Sequence, residues 1–338
     1  MLDLYFWLRA ALPPLEVATT IGALLFALTW VAPRRWVTFP AGSNRVRTLT
    51  ITGTLGALFV VGVGAAVSAH IAATADGSGF DDWWRRPTPL WVAAVVVAAA
   101  GVALRERRNT PAGALQVRTL RDWRHFTSPG LTWTWAAIAG ALVILCTWHI
   151  AIATRAPADA LFLGDVPHPT DLPIFVPFQG GFAFVGGAGW PNHVGTLIVV
   201  GIAAAVGFVA LRVDANRRFV QGSPSILRAE RTATSRLLLL ILLGGLLLTF
   251  GAVCMHIGAT GGASIGLAVE EANGALVYVG GGIGLIARPL NLFGYFSQAC
   301  GAALLMRLAV DTARAAYAGR RSRATLPAEI SADGAVLL

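Results

Sequence analysis

Three histidines end three apolar runs in nearly the same words. They are Ala69-His70-Ile71-Ala72-Ala73-Thr74, Trp148-His149-Ile150-Ala151-Ile152-Ala153-Thr154 and Met255-His256-Ile257-Gly258-Ala259-Thr260. A neutral imidazole offers one nitrogen lone pair to a metal while a neighbour fixes the other ring nitrogen. Three such rings with an open fourth position suit zinc or copper. A facing pair suits the axial positions of a b-type haem. His70, His149 and His256 are therefore the candidate ligands, with His193 as a reserve metal ligand. Glu16, near the outer end of the first apolar run, is the one carboxylate able to join them. Cys146, Cys254 and Met255 lie within one turn of a repeat histidine and would add sulfur, although buried thiols and thioethers usually only pack. His125 and His168 read as ordinary loop residues.

The elements that must position these rings are membrane spans. Of the 338 residues, 56% are hydrophobic and 13% charged, both far from the soluble average. Runs of about 20 apolar residues recur, each long enough to cross a hydrocarbon core of about 30 Å as a helix. We expect an all-α integral membrane protein of seven transmembrane helices, with spans near 11–32, 48–71, 89–104, 129–152, 191–211, 237–257 and 289–310. Residues 1–323 form a single transmembrane domain in this reading, and 324–338 a disordered tail. The opening residues lack the basic n-region of a cleaved signal peptide, so the first run is read as a span.

The charge gives the orientation. The net charge of +9 comes entirely from arginine on the basic side, gathered in alternate loops at 34–47, 105–124, 212–236 and 307–323. Cytoplasmic loops carry the positive excess, so the N-terminus faces outward and the C-terminus inward. Charge placed this way attracts anionic lipid head groups and gives no footing to a nucleic-acid partner. The location expected is the plasma membrane, as a multi-pass protein with the lipid bilayer as its first partner.

Repetition extends beyond the histidines. The outer starts of the descending spans read Arg86-Pro87-Thr88-Pro89, Trp190-Pro191-Asn192-His193 and Arg288-Pro289-Leu290-Asn291. Their inner ends read Ala103-Leu104-Arg105, Ala210-Leu211-Arg212 and Leu305-Met306-Arg307. One leading helix and three two-helix repeats account for both patterns. From Arg47 to His70, Arg124 to His149 and Arg236 to His256 the chain climbs roughly 30–37 Å at about 1.5 Å per residue. All three rings thus reach the outer boundary, where an imidazole is also comfortable at head-group level without any ligand.

Met255-His256 at the outer end of alternate spans resembles the MHYT family of bacterial membrane sensor domains. That family has three such motifs, and the resemblance implies a metal site at the outer face. The departures are plain: His70 and His149 follow Ala69 and Trp148 rather than methionine, no repeat histidine precedes Tyr-Thr, and the outer loops are longer.

Other features are quieter. Phe182–Gly187 and Leu276–Gly281 alternate large and small residues, as capping strands or as re-entrant segments. Gly53, Gly56, Gly62 and Gly64 suggest a closely packed helix face. Asp81-Asp82 and Glu270-Glu271 are acidic pairs able to meet a cation in outer loops. No phosphate loop, nucleophile elbow or HExxH motif is present. The spans lack the midplane charges on which ion-coupled carriers depend. A metal or haem protein in redox chemistry, metal handling or sensing ranks first. A cofactor-free accessory or scaffold subunit of a larger membrane complex comes second, and a channel or carrier third. Nothing decides whether the chain is an enzyme.

Overall fold

The computed structural model describes residues 14–31, 36–39, 45–74, 83–105, 115–116, 122–153, 174–178, 181–185, 188–216, 219–220, 224–262, 264–268, 276–280 and 283–324. The acidic pairs at Asp81-Asp82 and Glu270-Glu271, His168 and the segment 325–338 lie outside them.

Each apolar run becomes a helix. α1 is Pro14–Leu28. α2 (Val46–Ile51) and α3 (Ala57–Thr74) make one continuous rod through a π-helical turn, Thr52–Gly56. α4 (Thr88–Arg105), α5 (Pro129–Ala151), α6 (Trp190–Ala215), α7 (Pro224–Gly261) and α8 (Gly284–Ala324) follow. Prolines open α5 and α6 at the first turn, where a missing N–H costs no bond. Among the described residues six helices are long and apolar enough to cross a membrane, and the apolar part of α1, Val17–Leu28, is shorter.

α7 is the centre of the bundle. In its most apolar window 83% of residues are buried, against 22% in α5. α7 also starts well ahead of the apolar run at Leu237, because Leu227, Arg231, Thr234 and Ser235 continue a buried face below it. The outer helices turn large side chains outward: Leu24, Phe59, Trp133, Ile144 and Ile198 are all more than half exposed. Apolar surface on that scale fits hydrocarbon surroundings.

α7 and α8 pack most closely, and glycine is the reason. Gly244, Gly251 and Gly258 recur at heptad spacing on α7; Gly244 and Gly251 face Gly301 and Gly294 on α8, and Gly258 faces Ala287 and Asn291. A Cβ on Gly251 would stand 2.5 Å from the Gly294 carbonyl oxygen, and one on Gly258 2.6 Å from that of Ala287. α1 leans on the far side of α8, where a Cβ on Gly22 would meet Ala299 O and the Ala302 Cβ at 2.9 Å. Of the stripe expected from sequence, Gly53 and Gly56 are tightly faced by Thr312, Leu237 and Val96, whereas Gly62 opens on empty space.

The arginine-rich end carries buried ion pairs. Arg307 and Asp311 meet at 3.1 Å, and Asp311 also accepts the Trp36 backbone N–H. The Trp30 ring lies under both Arg307 and Arg314, at 4.2 and 3.9 Å. Arg45 reaches Asp214 at 2.8 Å.

The described parts of the two glycine-rich phrases, at the histidine end of the helices, are strands. β2 (Ile174–Phe178) pairs antiparallel with β3 (Gly181–Val185), and β5 (Ser264–Ala268) with β6 (Leu276–Gly280). A third pair, β1 (Leu115–Gln116) with β4 (Phe219–Val220), joins two loops of the arginine-rich end.

Candidate metal centre

α5 delivers His149 in its last turn, α7 delivers His256 near its end, and α6 delivers His193 in its first turn. One residue brings the first and third together. Gly189, just before α6, has φ 96°, a backbone conformation that suits glycine. In that shape its N–H donates to the His149 carbonyl at 3.3 Å, and its own carbonyl accepts the Asn192 N–H. The end of α5 is thereby fastened to the start of α6.

The three rings form a triangle in which His149 and His193 are buried and His256 is half-buried. His149 Nδ1 and His193 Nε2 stand 2.7 Å apart. Ring centroids are 4.9 Å apart for His149 and His193, 6.0 Å for His149 and His256, and 5.9 Å for His193 and His256. Each ring offers one nitrogen such that all three lie within 4.8 Å of one another. His149 and His193 are fully buried. Their remaining nitrogens, Nε2 of His149 and Nδ1 of His193, are buried with no hydrogen-bond partner in the protein. Leaving such groups unsatisfied costs about 1–3 kcal/mol each, so the arrangement is expensive unless something joins it.

Arg86 completes the site. It lies in the turn before α4 and is 2% exposed. Its Nη1 stands 3.1 Å from His256 Nδ1, and its Nη2 donates to the Asn192 carbonyl at 3.1 Å and to Oδ1 at 2.9 Å. Asn192 in turn donates from Nδ2 to the Ala188 carbonyl. Behind His256, Asn291 donates to the Met255 carbonyl, which ties α8 to α7 at the level of the rings.

Of the residues singled out from sequence, His149, His256 and the reserve ligand His193 are brought together. His70 lies outside this cluster with an exposed side chain. Its helix α3 packs chiefly on α4 and α8, whereas α5, α6 and α7 contact one another directly. The Glu16 side chain lies outside the described residues. Cys146, Cys254 and Met255 are buried, and the metal-competent group among the described residues contains three imidazoles and no thiol. His125 sits in a short 3-10 turn among the arginines, as a loop residue should.

Sequence reasoning missed Arg86 and Asn192. Both stood in the repeated phrases at the starts of the descending spans, Arg86-Pro87-Thr88-Pro89 and Trp190-Pro191-Asn192-His193. Their repetition was informative about topology, and their position just outside an apolar run is where a polar group can be buried beside a helix end. No family model matches this chain, and neither any curated protein nor any solved structure matches it.

Proposed function

We propose that this chain is a seven-span membrane protein, N-terminus outside, that holds one transition-metal ion between His149, His193 and His256 near its extracytoplasmic face. Its work there is metal handling, sensing or redox chemistry. The observation that carries the reading is the triangle itself: three imidazole nitrogens within 4.8 Å, two of the rings fully buried and each with its other nitrogen left without a partner. The side follows from charge. Arg105, Arg124 and Arg212 lie at or just beyond the helix ends opposite the histidines, Arg236 and Arg307 lie toward that same end inside α7 and α8, and basic residues mark the cytoplasmic side.

The donors suit zinc or copper. Imidazole nitrogens bind zinc at about 2.0–2.1 Å, which in a tetrahedral site sets ligand nitrogens roughly 3.3 Å apart. The His149–His193 contact of 2.7 Å has to open by about 0.6 Å for those two atoms to serve, within reach of a rotamer adjustment. Haem suits the site less well, because a porphyrin plane must slide between two axial nitrogens, and these two rings touch edge to edge. An accessory role without a cofactor gains no comparable support. The exposed Trp83, Trp84 and Trp190 at the histidine end fit an interfacial aromatic belt.

The test is metal content and binding by the detergent-purified chain. One equivalent of zinc or copper should bind, and the combined His149→Ala, His193→Ala and His256→Ala variant should bind none. Wild-type protein that stays metal-free under saturating zinc and copper would overturn the reading.

A further inference from the structure

One buried hydroxyl beside the triangle breaks a habit of this chain. Thr50, Thr134, Thr234 and Thr312 each lie inside a helix and donate to the carbonyl four residues earlier, at 2.7–2.9 Å. Thr196 Oγ1 does not. It is buried with no hydrogen-bond partner, on a residue that is 1% exposed. The carbonyl it would use by that rule, Asn192 O, accepts from Arg86 Nη2. Native structures leave few buried polar groups unsatisfied, so the hydroxyl calls for another partner.

A match stands one turn away. His193 and Thr196 are three residues apart on the buried face of α6, a spacing that sets Cβ atoms about 5–6 Å apart. Side chains on a helix lean toward its N-terminus, which carries Thr196 back over the turn of His193. His193 Nδ1 is itself buried and without a partner. A hydroxyl and a ring nitrogen that each lack a bond thus share one face, within range of a direct contact or of one bridging water.

The contact between the two histidines turns this pairing into a statement about protons. His149 Nδ1 and His193 Nε2 are 2.7 Å apart, so between neutral rings one nitrogen carries the hydrogen and the other accepts it. A neutral imidazole has a single N–H. With that hydrogen on His193 Nδ1, His193 Nε2 is the acceptor and the shared hydrogen belongs to His149. A metal held by these two inner nitrogens needs both lone pairs. Only the His149 proton then has to move, from Nδ1 to Nε2, because His193 already stands in the form that binds.

We infer that Thr196 is a positioning residue: its hydroxyl accepts the Nδ1–H of His193 and so keeps the Nε2 lone pair of that ring turned to His149 and to an incoming metal ion. Ligating histidines characteristically give their second nitrogen to such an acceptor. The part that concerns metal rests on the function proposed above, and the part that concerns the His193 proton does not.

Two measurements on the purified full chain test it. One is zinc titration, and the other is the nitrogen NMR spectrum of metal-free protein carrying isotope-labelled histidine, with the His193 signals assigned from their loss in His193→Gln. The wild type should show His193 protonated on Nδ1 and bare on Nε2. Thr196→Val, which keeps the shape and removes the acceptor, should mix the two forms and weaken zinc binding about tenfold. Thr196→Ser should restore both. His193 protonated on Nε2 in the wild type would overturn the inference by itself, whether or not the variants fold. Zinc affinity unchanged in Thr196→Val, or reduced equally in Thr196→Ser, would overturn it and leave the metal reading standing. Wild-type protein with the expected nitrogen signals that binds no zinc would overturn the metal reading and keep Thr196 as the holder of the His193 ring.

Discussion

The backbone of Gly189 donates its N–H to the carbonyl of His149, so α5 is tied to its neighbour α6 through the histidine residue itself. The bond depends on φ 96° at Gly189, which an L side chain rarely adopts. Gly189→Ala should lower stability by about 1–2 kcal/mol, and should weaken zinc binding by letting His149 and His193 drift apart. Thermal unfolding in detergent, read beside zinc titration, checks both effects.

Single alanine variants of the three clustered histidines should each lower zinc affinity tenfold or more, since a two-imidazole remnant loses one of three ligands. His70→Ala, altering an exposed ring outside the cluster, should leave it within about twofold. Isothermal titration of the four variants separates the histidines that converge from the one that only shares their sequence phrase.

Metal removal should be visible as lost stability. A ligand present at about 100 times its dissociation constant adds about 2.7 kcal/mol to the folded state. Chelation should therefore lower the unfolding temperature of the wild-type chain and leave the variant lacking all three histidines unmoved.

Gly251→Leu should be severely destabilising, by more than about 3 kcal/mol, because the new Cβ meets the Gly294 carbonyl at 2.5 Å and backbone has to shift. Gly62→Ala, where nothing stands within 4 Å, should be neutral or stabilising by up to about 1 kcal/mol through helix propensity. Chemical unfolding of the two variants in parallel is the measurement.

At the opposite end, Asp311→Ala should cost about 3–5 kcal/mol by leaving the Arg307 charge buried without its carboxylate. Arg307→Met combined with Asp311→Leu should cost less than Asp311→Ala alone, since both charges then leave together. A double-mutant cycle on unfolding free energies shows whether the two positions couple.

The apolar helices were legible in the sequence because a bilayer demands long uninterrupted hydrophobic runs, and those are visible without knowing any contact. The start of α7 was not. Around Leu227 and Arg231, burial falls on one face of a mixed polar segment, which hydropathy averages away. His149 and His256 stood out by repetition, but repetition equally marked His70, and no repeat can say which rods become neighbours. That depends on close approaches such as Gly258 against Ala287 and Asn291, which emerge only when α7 and α8 meet. Arg86 carried a weak signal for a related reason. Its value lies in Asn192 and His256, both more than 100 positions away along the chain.

The seating of α1 against α8 has a consequence for biosynthesis. Among the described helices α1 is made before α8 yet has its main docking face on it, so Gly22 waits for Ala299 and Ala302 through the making of every segment between them. During that interval α1, whose apolar stretch is shorter than the six spanning helices among the described residues, lacks its main docking face. Arrival of α8 therefore closes the bundle over α1, and chains truncated before α8 should be cleared by quality control with α1 still unclaimed.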